Sequence, residues 1–124
     1  MLIPLLDENI SRVIARQITI RRPEIPIQSI FQWRGGTFLR QPDARILQAA
    51  AEDDLTLVTD DRQTITPLLM AWGAAGIDHS GVVFVDQRTI RSNDFGGLVR
   101  ALEQFWDREQ GAGWKNRMDF LNAP

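Results

Sequence analysis

Acidic residues follow three of the short apolar segments that the sequence predicts to be strands. The pairs Asp7-Glu8 and Asp60-Asp61 and the single Asp86 come directly after these segments. In parallel α/β sheets the carboxyl ends of the strands meet at one edge, and ligands bind there. Carboxylates gathered at one place repel each other unless a cation neutralises them, and Mg²⁺ or Mn²⁺ does so through oxygen ligands. The pattern predicts a divalent metal site that activates water for attack on a phosphate.

Each of these acids also has a purely structural interpretation, because Asp after a strand often caps the next helix or shapes a turn. Since neighbouring strand residues point to opposite faces, we expect only one acid of each adjacent pair to enter the site. Asp43 and Asp94 are further candidates near predicted helix starts, where an acid also complements the helix dipole. Arg62 and Arg88 closely follow strand-end acids, so they either clamp a phosphate or pair with those acids.

The elements that must position these residues alternate between strands and helices. The predicted strands are Leu2–Leu6, Glu24–Ile30, Leu55–Thr59 and Gly81–Val85, with Trp114–Leu121 as either a short edge strand or a helical turn. The predicted helices begin at Asn9, at Pro42, at Thr66-Pro67, and at Asn93 or Asp94, and a loop covers Gln32–Gln41. This alternation predicts an α/β fold in which helices cover both faces of a mostly parallel sheet of four or five strands.

Composition narrows the class of protein. The 124 residues with 44% hydrophobic content suit one domain over residues 1–124. The absence of cysteine excludes thiolate metal sites, and the single histidine, His79, disfavours zinc sites and a Ser/His/Asp triad. No apolar run reaches the roughly 20 residues that span a bilayer. The N-terminus does not have the pattern of a signal peptide, so we expect a cytoplasmic protein. A net charge of −2 counts against a passive nucleic-acid-binding module but not against a nuclease, whose metal meets the phosphate.

Several segments together resemble the DUF5615 family of PIN-like proteins. They are LIPLLDENI, PDARILQAAAEDDLTLVTDDRQTI and GVVFVDQRTI, with GWKNRMDFL similar to the end of the family, so that the similarity covers nearly the whole chain. The resemblance implies a three-layer, Rossmann-like PIN fold. It also implies a Mg²⁺- or Mn²⁺-dependent endoribonuclease that acts as the toxin of a bacterial toxin–antitoxin pair, with RNA as substrate and an antitoxin as protein partner.

The same resemblance assigns roles to individual acids. The family pattern places metal-binding acids at Asp7, Asp43, Asp61 and Asp86, with Asp94 as a nearby supplement. We therefore expect Asp7, Asp61 and Asp86 to form the catalytic set. Arg62 and Arg88 are the candidate substrate contacts from their positions alone, and not from the resemblance. The usual PIN pattern also has a glutamate in a middle helix, which has no clear counterpart here because Glu52 lies late in its helix.

Two other functions stay open. A non-catalytic PIN-like interaction domain would bind an antitoxin or itself, and Trp33 and Trp114 are the candidates for such a partner surface. We expect a homodimer, with the last helix and Trp114 suited to the dimer surface. A phospho-acceptor receiver domain also gathers acids at strand ends, but it needs a lysine after its fifth strand. The only lysine, Lys115, lies in the tail.

Overall fold

The computed structural model describes all residues from 1 to 124, in which five strands and four helices alternate. The strands are β1 (Pro4–Leu6), β2 (Gln28–Ser29), β3 (Thr56–Thr59), β4 (Val82–Val85) and β5 (Met118–Leu121). The helices are α1 (Arg12–Arg21), α2 (Asp43–Glu52), α3 (Arg62–Ala75) and α4 (Phe95–Glu109), with a short 3₁₀ segment at Trp33–Gly36. All strand pairs are parallel, in the order β2-β1-β3-β4-β5. The predicted α/β fold is confirmed.

Each face of the sheet carries an apolar layer, because successive strand residues point to opposite faces. Leu6 and Val83 face the core that contains α1 and α4, whereas Leu5 and Phe84 face the core that contains α2 and α3. The helices therefore cover both faces, and the fold is a three-layer, Rossmann-like one, as predicted. None of the helices has the length and apolar character that crossing a membrane requires.

The strand order reverses between β1 and β3. The chain steps from β1 to β2 in one direction and from β3 through β4 to β5 in the other. Ligands of open α/β sheets bind outside the carboxyl ends of the strands at such a switch point. Asp7 follows β1 and Asp60-Asp61 follow β3. The topology thus puts these acids at the edge where a ligand is expected.

The last two crossovers have opposite hands. The steps from β3 to β4 and from β4 to β5 run the same way, yet α3 packs on one face of the sheet and α4 on the other. Crossovers between parallel strands are right-handed in about 98% of cases, so one of these two is an exception. Because α4 takes the α1 side, the other face of β5 has no crossover helix of its own, and Met118 and Phe120 are exposed there.

Some predicted helix starts are wrong. Ser11, not Asn9, caps α1, because its Oγ accepts a hydrogen bond from the Val13 N–H at 3.2 Å. Helix α3 begins at Arg62 rather than at Thr66-Pro67, because Asp61, and not Thr66, caps it. Pro67 therefore lies inside the helix.

The second strand and the tail also differ from simple expectation. Only Gln28–Ser29 of the predicted Glu24–Ile30 pairs in the sheet, since Pro26 has no N–H to donate to a neighbouring strand. In the tail, the edge-strand alternative is correct.

The tryptophans proposed for a partner surface are buried instead. Trp33 donates its Nε1–H to Asp53 at 2.9 Å, and Trp114 donates to the Glu109 carbonyl at 3.2 Å. The prediction of their exposure was wrong, because both rings pack into the cores next to the sheet.

Candidate functional site

Asp7, the first residue after β1, is almost fully buried. Its Oδ2 accepts a hydrogen bond from the Thr59 hydroxyl at 2.7 Å, and its Oδ1 accepts one from the Glu8 N–H at 2.8 Å. Burial raises the pKa of Asp7, and the nearby negative charge of Asp43 raises it further, against the effect of the hydrogen bonds. The charged form of Asp7 is thus only partly compensated by the protein.

Two further acids join Asp7 through threonine hydroxyls. The Thr59 hydroxyl accepts a hydrogen bond from the Asp61 N–H at 3.1 Å. Asp61 Oδ1 in turn accepts from the Thr64 N–H at 3.2 Å, which caps α3. The Thr64 hydroxyl contacts Asp61 Oδ2 and also lies 3.1 Å from Asp43 Oδ2. Asp7, Thr59, Asp61, Thr64 and Asp43 therefore form one connected group, called here the acid–threonine chain.

The acid–threonine chain has too few protons for its acceptors. A threonine hydroxyl carries one proton. The Thr64 hydroxyl faces carboxylate oxygens of both Asp43 and Asp61, so it can donate to only one of them at a time. The other oxygen then meets a hydroxyl oxygen with no proton between them. A cation among these oxygens would relieve that contact and the repulsion between the carboxylates.

No basic side chain neutralises these acids. Asp7, Glu8, Asp43, Asp60 and Asp61 form no salt bridge. Every other acid except Asp54 and Asp94 does, at Glu24, Glu52, Asp53, Asp78, Asp86, Glu103, Asp107, Glu109 and Asp119. The uncompensated negative charge is concentrated at the carboxyl ends of β1 and β3 and at the start of α2.

Asp60 differs from its neighbour Asp61 in its surroundings. Its Oδ2 accepts a hydrogen bond from Gln87 Nε2 at 2.9 Å, and partial burial raises its pKa. The side-chain hydrogen bonds of Asp60, with Gln87 and Asn9, therefore do not join it to the acid–threonine chain. Of this adjacent pair, only Asp61 belongs to that group.

Asp86 and Asp94 are engaged elsewhere. Asp86 Oδ1 accepts hydrogen bonds from the backbone N–H of Arg88 at 3.0 Å and from its Nε at 3.1 Å. The Arg88 hydrogen bonds lower the pKa of Asp86. Asp94 caps α4 by accepting from the Gly97 N–H at 2.9 Å. Neither acid is hydrogen-bonded to the acid–threonine chain, and Arg88 takes the pairing role that was one of its two expected uses.

Most arginines without a salt bridge belong to the stretches of chain between the carboxyl end of a strand and the first turn of the next helix. They lie in the first turns of the helices or in the segments before them, at Arg12, Arg40, Arg45, Arg62 and Arg91. Elsewhere only Arg16 and Arg100 are free of one. The charge of Arg62 contributes to the lowered pKa of Asp86, which places its guanidinium near that acid. The edge thus carries acids without a basic partner and Arg62 near them, a combination of charges suited to a metal and a phosphate.

The donor set fits a hard divalent cation in its chemistry. Carboxylate and hydroxyl oxygens are the ligands that Mg²⁺ and Mn²⁺ prefer. As the side chains stand, no group of three His, Cys, Asp or Glu residues is spaced to hold a metal ion. Asp7, Asp43 and Asp61 are linked through hydroxyls rather than converging on one point.

Sequence reasoning did not identify Thr59, Thr64 or Phe120. The signal for Thr64 was its position three residues after Asp61, which is the spacing between a capping side chain and the N–H that it accepts from. Thr59 was placed in its strand, but its hydroxyl link to Asp7 joins residues 52 positions apart. No local pattern shows such a contact.

The chain was also compared with known proteins. No family model, no curated protein and no solved structure matches it.

Proposed function

We propose that this chain is a PIN-like endoribonuclease of the DUF5615 kind that depends on Mg²⁺ or Mn²⁺. The observation that carries the proposal is the acid–threonine chain, in which hydrogen bonds through two threonine hydroxyls connect three acids at the sheet edge that have no basic partner. The sequence resemblance supports the same activity. It adds the role of a cytoplasmic toxin that a protein antitoxin restrains.

The proposal gives each residue a task. Asp7, Asp43 and Asp61 hold the cation, and the hydroxyls of Thr59 and Thr64 fix the directions of these carboxylates. A divalent ion bound there would supply positive charge to a phosphate and lower the pKa of a bound water. Positive charge from the unpaired arginines holds the RNA backbone against the edge.

Asp86 completes the proposed catalytic set only if Arg88 releases it. In the fold as described, Arg88 neutralises this acid, and its guanidinium is mostly exposed. Because this guanidinium is accessible to solvent, a phosphate can compete with Asp86 for Arg88. Asp94 has no ligand role in the proposal because, unlike Asp61, it has no hydrogen bond to the acid–threonine chain beside its capping bond to α4.

The decisive experiment is RNA cleavage by the purified, partner-free chain, with Mn²⁺ or with EDTA. Asp61→Asn keeps an acceptor for the α3 cap but removes a charge from the site. We expect it to lower Mn²⁺-dependent cleavage by about 100-fold or more, in line with losses seen when metal sites are perturbed. Asp54→Asn is the matched control, because Asp54 is an exposed acid without a salt bridge outside the site. Cleavage that survives EDTA, or an Asp61→Asn variant as active as the parent, would contradict the proposal.

The toxin role has a separate test. Induced expression of the parent chain should arrest growth of a bacterial host, whereas Asp61→Asn should not. Equal growth arrest by both proteins would show that any toxicity is independent of the acidic site.

A non-catalytic interaction domain is the second candidate function. The observation that favours it is the state of the remaining acids, since Arg88 neutralises Asp86 and a helix cap occupies Asp94. It predicts no Mn²⁺-dependent turnover and no heat of Mn²⁺ binding by calorimetry. It also predicts that Asp7→Asn and Asp61→Asn leave partner binding unchanged.

A further inference from the structure

An exposed apolar strip runs along β5 on the face that carries α2 and α3. Met118 is 51% exposed and Phe120 is 42% exposed, although both belong to a strand of the sheet. The centre of the Phe120 ring lies 5.7 Å from that of Phe84, which is buried, so Phe120 contacts the core on one side. Since α4 crosses on the other face, no helix after β4 covers this ring.

Arg62 connects Phe120 to the acidic edge. Its guanidinium carbon lies 5.0 Å from the centre of the Phe120 ring, a cation–π distance. Arg62 forms no salt bridge, and it directly follows Asp61 of the acid–threonine chain. A planar cation and an aromatic ring are thus layered beside the candidate site, both exposed to solvent.

We propose that Arg62 and Phe120 form a stacking platform for a base of single-stranded RNA, next to the point of cleavage. The inference rests on the proposed nuclease function and names the form of its substrate. Aromatic rings and guanidinium planes bind unpaired bases by stacking, and positive grooves beside them follow the phosphates. In a duplex the bases are already stacked and paired, so the platform selects single strands.

The surroundings of β5 favour nucleic acid over a second copy of the chain. The outward N–H of Phe120 donates to Asp119 Oδ1 at 2.7 Å, so one of the edge donors is already used. Asp119 and Arg117 also place a charged pair along this edge strand, and charged side chains on an edge strand oppose sheet extension. The unpaired arginines at the adjacent edge instead complement a chain of phosphates.

The test measures binding of a labelled oligonucleotide of about 12 nucleotides, a length within the usual site sizes for single strands. Single-stranded and duplex RNA are compared by fluorescence anisotropy in Ca²⁺, which neutralises carboxylates through oxygen ligands. A gel confirms that the RNA stays intact. Phe120→Leu removes the ring but keeps an apolar side chain, Phe120→Trp keeps a ring, and Arg62→Lys keeps the charge without the plane. Ile20→Ala, an exposed apolar residue on α1, is the control.

We expect the parent to prefer single-stranded RNA. Phe120→Leu and Arg62→Lys should each weaken that binding about ten-fold, whereas Phe120→Trp and Ile20→Ala should retain it. Unchanged binding by Phe120→Leu, or no binding by the parent, overturns the inference. So does a Phe120→Leu variant that binds RNA normally but loses a dimer in sedimentation, because the strip is then a protein interface. Mn²⁺-dependent cleavage is measured separately. If the parent cleaves RNA while Phe120→Leu binds RNA normally, the stacking platform is refuted and the proposed nuclease function is not.

Discussion

At the scale of single residues, two threonine hydroxyls organise the acidic edge. Thr59 joins Asp7 to Asp61, and Thr64 joins Asp61 to Asp43. These hydrogen bonds favour the charged carboxylates, yet burial outweighs them at Asp7 and raises its pKa. Without a cation, the folded chain therefore contains an unfavourable negative charge at Asp7. That charge should be visible in the stability of the protein.

Asp7→Asn should make metal-free protein more stable at neutral pH. The raised pKa of Asp7 means that the fold binds this proton more tightly than the unfolded chain, whose value is near 3.8. The resulting stabilisation is present below that pH and is lost as the pH rises through the raised pKa. Asp7→Asn has no carboxyl group to ionise here, so it should not lose this stabilisation. The difference in free energy of unfolding between the variant and the parent should therefore grow between about pH 4 and pH 7. Urea unfolding in EDTA measures both free energies.

The control for this prediction is Asp54→Asn, which removes an exposed acid outside the acid–threonine chain. The free energy of unfolding of Asp54→Asn should change with pH as that of the parent does. If Asp7→Asn also follows the parent across this range, Asp7 does not carry the burial cost that its surroundings indicate.

At the scale of elements, the start of α3 determines the geometry of the site. Asp61 caps this helix with one carboxylate oxygen, and the first turn then presents Thr64 to Asp43 at the start of α2. A helix beginning at Thr66-Pro67 would leave Thr64 outside the first turn. The early start has a cost, because Pro67 lies in the helix interior and cannot donate to the carbonyl four residues before it.

Pro67→Ala should stabilise the protein. The substitution restores a helical hydrogen bond at an exposed position, and the gain is reduced by the greater freedom of the unfolded chain. We expect a net gain of about 1–2 kcal/mol in the free energy of unfolding. Pro42→Ala is the matched control, because Pro42 precedes the first turn of α2 and its missing N–H removes no helical bond. A loss of stability in Pro67→Ala alone would show that the proline ring is needed for packing.

At the scale of the whole molecule, the two edges of the sheet have different roles. At the amino edge, Leu2 is tied to the end of α4, since its N–H donates to the Gln110 carbonyl and its carbonyl accepts from Trp106. Asn116, before β5, is tied to the His79 segment before β4. At the carboxyl edge the long-range hydrogen bonds instead involve the acids themselves, as in Thr59 to Asp7, Thr64 to Asp43 and Gln87 to Asp60. The contacts at the amino edge thus join structural segments, whereas those at the carboxyl edge position the candidate site.

Gly81→Ala should test the amino edge without touching the site. Gly81 has a φ of +96°, and a Cβ there would lie 2.8 Å from the Trp114 carbonyl oxygen. Backbone strain and the clash together should lower the free energy of unfolding by about 2–4 kcal/mol. Gly113→Ala, where a Cβ would meet nothing within 4 Å, should have a small effect. Thermal unfolding compares the two, and cleavage per folded molecule should be the same for both. A destabilised Gly113→Ala beside an unaffected Gly81→Ala would contradict this assignment.

The local sequence determined the alternation of strands and helices. The apolar runs that form β1, β3 and β4 are buried on both faces. Strands of this kind can be predicted from their apolar composition alone. The positions of Asp7 and Asp61 after those strands followed from the same runs. The parallel order of the sheet then explains why residues so distant in sequence lie at one edge.

Only the tertiary structure decided which side chains meet. Whether Asp86 faces a cation or Arg88, and whether Trp114 or Phe120 is exposed, depends on contacts between distant segments and on the face that α4 crosses. The sequence of α4 predicts an amphipathic helix, but an amphipathic helix can pack on either face of the sheet. Packing of α4 against α1 settled that choice, which buried Trp114 and left Phe120 open beside Arg62.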